Sequence, residues 1–202
     1  MEKKPSLAKR IAVSAAKLFG WLCIIFSITL LLNAFVFSVA MVEGISMEPT
    51  LVDGERLILD RISYRFTNPS RFDIVVIDPD SDRIPEGELI IKRVIGLPGE
   101  KVAFRGNQLY VDNELVAEDF IVDPVNQYTN DFTVAQIPGN GGNSIIPEGY
   151  YLVLGDNRTH SVDSRQIGLV PKEQILGKAA FSIWPIDKIQ FLTVKPEDIN
   201  EL

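Results

Sequence analysis

Val102-Ala103-Phe104-Arg105-Gly106-Asn107-Gln108-Leu109-Tyr110-Val111 reads as two short strands joined by a two-residue turn, and this reading decides the fold class. The flanking runs favour extended backbone, and Gly106 supplies the positive φ that a tight hairpin turn requires. Asp112-Asn113 offers a second such turn directly afterwards. Working outward, short apolar runs at 56–60, 73–78, 89–95, 150–154 and 179–184 are punctuated by Gly, Pro, Asn and Asp, the pattern of many short strands. The expected class is mainly β and antiparallel, with few helices outside the N-terminal region. Residues 117–148 are polar, with Pro124, Pro138, Gly139, Gly141 and Gly142, and predict an excursion or mobile insert without a motif. Lys195–Leu202 reads as a solvated tail.

Upstream of the strands the texture changes. Residues 18–42 are almost wholly apolar and residues 18–40 carry no charge. As a helix this run would extend roughly 35 Å, enough to cross a bilayer with some tilt. Residues 1–17 carry five basic groups (Lys3, Lys4, Lys9, Arg10, Lys17) against Glu2. An excess of basic residues before a span predicts a cytoplasmic N-terminus and places residues 43–202 on the extracytoplasmic side. The expected organisation is therefore a basic segment (1–17), a single transmembrane anchor (18–42) in the cell membrane and a β-rich domain (43–202). A cleaved signal peptide ending at Ser38-Val39-Ala40 is the competing reading, but the run is longer than the usual apolar core of about 7 to 15 residues.

Composition excludes other classes. Residues 41–202 hold 15 basic and 26 acidic side chains, a net charge of −11, and such a surface repels phosphate backbones, so no nucleic-acid partner is expected. Cys23 is the only cysteine and lies in the apolar run, so the fold rests on its core without an intrachain disulfide. Phe19-Gly20-Trp21-Leu22 ahead of it puts a bulky tryptophan and leucine where a lipidation site would want small residues close to the cysteine.

Three stretches carry chemistry. Gly44-Ile45-Ser46-Met47-Glu48-Pro49-Thr50-Leu51 begins where the apolar run ends. Pro49 fixes φ and has no N–H to donate, which suits a shaped turn, so Ser46 would be a hydroxyl held near the membrane. In Leu89-Ile90-Ile91-Lys92-Arg93-Val94-Ile95, strand alternation puts Lys92 with Ile90 and Val94, and Arg93 with Ile91 and Ile95. A lysine among branched aliphatics is desolvated, and burial lowers its pKa by up to about 3 to 5 units, toward the range of a useful base. Gly155 to Arg165 follows an expected strand and is dense in charges and hydroxyls. Asp163 and Arg165, two apart, can form a charge-assisted pair. His160 is the only histidine, and nothing in its spacing joins it to Ser46 and Asp163 as a triad.

In this order, the apolar anchor, Gly-Ile-Ser-Met-Glu-Pro-Thr-Leu (44–51), Arg-Phe-Asp-Ile-Val-Val (71–76), Lys-Arg-Val-Ile-Gly-Leu-Pro-Gly-Glu (92–100), Gly-Asp-Asn-Arg-x-x-Ser-x-Asp-Ser-Arg (155–165), Gly177-Lys178-Ala179 and Trp184-Pro185, the chain resembles the bacterial type I signal peptidases, in their compact single-anchor branch. The resemblance implies an antiparallel β-sheet catalytic domain and a Ser-Lys protease that cuts exported preproteins after small-x-small sites, typically Ala-x-Ala. It implies Ser46 as nucleophile, Lys92 as general base, Ser161 as the hydroxyl that orients the lysine, Asp163 with Arg165 as the pair holding the loop, and Met47 in the substrate cleft. Asp156 to Arg158 belong to the same motif with a less defined role. No cofactor and no metal are expected; the partners would be exported preproteins, membrane lipids and the nearby secretion translocon. Gly44 stands where some members carry a serine that assists the oxyanion hole, a donor worth on the order of 3 kcal/mol. The Ser46 N–H would be one donor and the second is unassigned.

The rival readings are a self-cleaving repressor with Ser-Lys chemistry, which needs a DNA-binding segment where the apolar run stands, a serine hydrolase using His160, and a membrane-tethered, non-enzymatic assembly module. Independently of resemblance, four residue steps separate Val42 from Ser46, at most about 14 Å of extended chain, so the hydroxyl stays close to the membrane surface. Sharing a membrane with a substrate would raise their effective concentration, and shallow pockets would reject large side chains.

Overall fold

The computed structural model describes residues 7–35, 37–123 and 127–192. Lys3 and Lys4, residues 124–126 of the expected insert and the expected tail Lys195–Leu202 lie outside the described residues.

Helix α1 spans Leu7–Phe35. Its window Val13–Leu30 has a mean hydropathy of 1.8, is unburied, and is the one stretch among the described residues long and apolar enough to cross a membrane. The expected helix through Val42 ends early, because Phe37–Met41 forms strand β1. Phe37 lies opposite Asp60, and Met41 opposite Arg56, in antiparallel register with β2 (Arg56–Asp60). Here five paired residues in a ladder outweigh a continued helix.

The remaining strands are β3 (Ile74–Ile77), β4 (Ile90–Gly96), β5 (Val102–Arg105), β6 (Gln108–Val111), β7 (Glu114–Val116), β8 (Phe132–Thr133), β9 (Tyr150–Leu154), β10 (Val170–Pro171), β11 (Ile175–Trp184) and β12 (Gln190–Phe191). They form a large sheet in the order β1-β2-β11-β3-β4-β9-β10, with β12 on β11, and a small sheet in the order β7-β6-β5-β8. All pairings between described strands are antiparallel. Each expected strand is present, and β11 starts four residues before the expected Ala179.

Arg105 pairs with Gln108 across Gly106-Asn107, and both turn residues have positive φ, 57° and 65°, as a two-residue hairpin demands. Val111 pairs with Glu114 across Asp112-Asn113, whose φ values are 52° and 72°.

All four residues of β3 are buried because the sheet is covered on both faces. Ile74 and Val76 pack with Met47, Leu51 and Leu57, while Val75 and Ile77 pack with Tyr151 and Val153. A third cluster joins Phe104 and Leu109 of the small sheet to Leu152 and Leu154 of β9. The first cluster lies beneath the Ser46 turn and the third behind the 155–165 loop, so both segments rest on packed side chains.

Candidate active site

The Ser46 turn is tied at both ends. The Val42 N–H donates to Glu55 O at 2.8 Å and the Gly54 N–H to Val42 O at 2.9 Å. Gly44, at φ 82°, donates its N–H to Asp53 Oδ1 at 2.8 Å; an L side chain there would be strained. Within the turn, the Glu48 N–H bonds Ile45 O at 3.1 Å and the Leu51 N–H bonds Met47 O at 3.0 Å. Met47 and Leu51 are buried in the core, which fixes the backbone on either side of Pro49. Half-buried Ser46 stands at the edge of that anchor.

Lys92, on β4 opposite Val75, is 3% exposed. Its Nζ lies 2.8 Å from Ser46 Oγ and donates to Ile91 O at 2.8 Å. The Ser46–Lys92 separation serves proton transfer in either direction: an ammonium donates to Oγ, and a neutral amine accepts from the hydroxyl. Burial pushes the Lys92 pKa down to about 8, with Asp163 and Asp156 pulling the other way. A lysine in that range is partly neutral near physiological pH and can act as a base. Among the described residues no carboxylate forms an ion pair with it.

The 155–165 loop grips the turn from behind. The Asn157 N–H donates to Ser46 O at 3.1 Å, and Asn157 Nδ2 to Ile45 O at 3.1 Å. Asp156, fully buried, accepts from Arg93 Nε at 2.8 Å and Nη2 at 2.5 Å, and from Thr50 Oγ1 at 2.5 Å. A Cβ on Gly155 would stand 2.5 Å from Ser46 O and overlap the Ser161 hydroxyl, so glycine permits this close approach.

Asp163 and Arg165 pair as expected, through Nε–Oδ1 at 2.8 Å and Nη2–Oδ2 at 2.7 Å. The backbone between them is not extended: Asp163 caps the short helix α2 (Ser164–Ile167), accepting from the Arg165 N–H at 3.3 Å. The Gly155 N–H also donates to Asp163 Oδ2, at 3.1 Å. Ser161 Oγ is buried beside Gly155 and has no hydrogen-bond partner among the described residues; the hydrogen bonds of Lys92 go instead to Ser46 and Ile91.

A cleft of about 820 Å³ runs past Ser46 and Lys92, with Ala40, Met47, Val76 and Ile91 among its walls. His160 borders it, but its ring nitrogen engages Thr159 Oγ1 at 2.8 Å and Asn157 Oδ1 at 3.2 Å. Among the described residues the Ser46 N–H donates to no acceptor. No group of three or more His, Cys, Asp or Glu among them is arranged to hold a metal ion.

The sequence brought Ser46, Lys92 and the Asp163–Arg165 pair into view. It missed the Arg93–Asp156–Thr50 cluster, the Asn157 clamp and the bond from Arg158 Nη2 to Glu118 Oε1 at 2.5 Å. A basic residue beside Lys92 and an acid in the 155–165 motif were the available signals, but their 63-residue separation hid the pairing. The expected insert is also bound into this centre, through Glu118 and Thr129 on Arg158 and Phe120 against Arg93.

Comparison with known proteins gives one family. The family model described as "Signal peptidase, peptidase S26" matches residues 15–184. The chain is 40% identical over 141 residues to "Signal peptidase I V" of Bacillus subtilis (strain 168), covering 67% of this chain and 79% of that one. It is 40% identical over 166 residues to "Signal peptidase I" of Bacillus caldolyticus, covering 79% and 86% respectively. A solved signal peptidase I from Enterococcus faecalis V583 is 38% identical, covers 55% of this chain and 97% of that chain, and superposes with a TM-score of 0.48.

Proposed function

Because the chain belongs to the signal peptidase family, peptidase S26, we propose that it removes signal peptides from exported preproteins by a Ser-Lys mechanism. The observation that carries this reading is the 2.8 Å approach of Lys92 Nζ to Ser46 Oγ at a lysine whose pKa burial lowers to about 8.

Neutral Lys92 takes the Ser46 proton as Oγ attacks the scissile carbonyl. The resulting oxyanion accepts from the Ser46 N–H. Collapse breaks the peptide bond, the Lys92 ammonium gives its proton to the leaving amine, and an ester to Ser46 remains. Lys92 then takes a proton from water as it attacks the ester; the ester bond breaks, the Lys92 ammonium returns that proton to Ser46 Oγ, and the signal peptide leaves with its new carboxylate. The base is reused because its pKa lies near the working pH.

Helix α1 serves as the single anchor, with its N-terminus cytoplasmic and the β domain extracytoplasmic, where preproteins emerge beside the translocon and the lipid surface. Ala-x-Ala sites suit pockets that exclude larger side chains. The anchor stays attached, because a cut after Ala40 would sever β1 in the middle of its ladder with β2.

The test is cleavage of an Ala-x-Ala preprotein by the purified protein in detergent or lipid, comparing wild type, Ser46→Ala and folded Lys92→Ala. Cleavage after the second alanine by wild type and by neither variant is the expected result. Equal activity in all three removes both residues from the chemistry, and activity in none favours the tethered module.

A further inference from the structure

The start of the expected insert, in its described residues 117–123 and 127–129, has no part in the proton transfers above, yet it supplies partners to both buried arginines behind the Ser46 turn. Arg158 is 2% exposed. Its Nη2 pairs with Glu118 Oε1 at 2.5 Å, where the two side chains are 1% and 8% exposed. Its Nη1 donates to Thr129 Oγ1 at 2.7 Å and its Nε to Gly155 O at 3.1 Å. The Phe120 ring lies 4.0 Å from the Arg93 guanidinium carbon, measured to the ring centroid.

The segment is itself held in place. Gln127, fully buried, donates through Nε2 to Phe120 O at 3.1 Å, and its Oε1 accepts from the Val122 and Asp123 N–H groups, both at 2.6 Å. The Thr129 N–H donates to Asn107 Oδ1 at 2.7 Å, and the Gly106 N–H to Asp131 Oδ1 at 2.7 Å. The hairpin turn between β5 and β6 thus fastens the insert, and the insert fastens the loop.

We propose that Glu118 is a positioning residue for the peptidase reaction: through Arg158 it fixes the Gly155–Asn157 backbone, and through Asn157 the placement of Ser46. This inference rests on the Ser-Lys reading given above. Arg158 grips Gly155 O, Gly155 leads by two residues to Asn157, and Asn157 holds Ile45 O and Ser46 O. A buried guanidinium that loses its carboxylate must find another acceptor or water. Gly155 O is already held by Arg158 Nε, so the freed Nη2 turns to the neighbouring Asp156, and recruiting it displaces the clamp on Ser46. A reacting group misplaced by about 1 Å loses up to about 10²-fold in rate while substrate contacts along the cleft persist.

The test uses the full chain in detergent micelles with an Ala-x-Ala preprotein. Glu118→Gln keeps the shape and an acceptor oxygen but removes the negative charge that neutralises Arg158, and the expected result is kcat reduced by about 10- to 10²-fold with KM within about twofold. Glu118→Leu, Arg158→Met and the double variant form a cycle. If Glu118 acts through Arg158, the double variant is no slower than Arg158→Met alone, whereas independent roles multiply. Wild-type kcat in folded Glu118→Gln overturns the proposal, as does multiplication of the two single effects. Should Glu118→Gln not fold, the double variant, which packs an apolar pair, decides by the same cycle. A Ser46→Ala control separates the two readings: if it cleaves, the Ser-Lys mechanism fails, and if it is inert while the Glu118 variants retain wild-type kcat, only the positioning role fails.

Discussion

Two regions on either side of the Ser46 turn bury one β4 cation each, and the cations meet opposite fates. Lys92 and Arg93 are adjacent and each is 3% exposed. Around Lys92 the hydrogen-bond partners are a hydroxyl and a carbonyl, and the ammonium is disfavoured. Around Arg93 a fully buried carboxylate accepts two bonds, Phe72 O accepts a third at 3.0 Å, and an aromatic ring covers the guanidinium. Burial alone therefore does not make a base. Burial without a counter-ion lowers a lysine's pKa toward the range of a base, whereas arginine stays charged and becomes structure.

The sharpest way to break this comparison is to remove the reactive side. Ser46→Ala or Lys92→Ala should reduce kcat for preprotein cleavage by about 10³-fold or more, since members of a nucleophile–base unit fail together. Single-turnover rates on the purified variants check it, and additive losses would mean that the two do not act as a unit.

Removing the structural side should act on stability instead. Arg93→Met leaves Asp156 buried without its cation and is expected to cost about 3 to 5 kcal/mol, read from urea unfolding of the detergent-solubilised protein. A loss under 1 kcal/mol would mean that Thr50 and water satisfy Asp156 unaided.

Lys92→Met should move stability the other way. Folding lowers the Lys92 pKa from 10.5 to about 8, so below about 8 the native state carries a desolvated ammonium. Between about 8 and 10.5 the unfolded chain binds more protons, and wild-type stability rises with pH. The variant should therefore be more stable by about 3 kcal/mol at pH 7, with the gain fading as pH approaches about 10.5. Wild-type kcat should fall as pH drops through about 8, because the base is then protonated. A flat pH–rate profile removes Lys92 as base.

The smallest effect is expected at the rim. Arg71 pairs with Glu100 at 2.5 Å, but these side chains are 19% and 17% exposed, and water shares the work of solvating them. Arg71→Met should cost about 1 kcal/mol. A cost equal to that of Arg93→Met would show that exposure does not set the difference.

Much of this was legible in residue order. Gly106-Asn107 and Asp112-Asn113 announce their hairpins because left-handed backbone admits few residue types. Lys92 between Ile90 and Val94 announces a desolvated amine because strand neighbours share one environment. The end of α1 was not legible: Phe37–Met41 is as apolar as the helix before it, and only the ladder offered by β2 makes it a strand. The insert looked unattached because its polar residues resemble solvated ones until their partners are known.

By itself the sequence determined the β class and the apolar helix and brought Ser46 and Lys92 into view as candidates, since each depends on local preferences or on motifs contiguous in the chain. Tertiary structure alone decided that Asp156 would neutralise Arg93 and not Lys92, that Asn157 would hold Ser46, and that Glu118 would close the charge on Arg158. Those choices depend on distances between segments 40 to 112 residues apart, and in a folded chain electrostatic pairing follows spatial separation, which residue order does not encode.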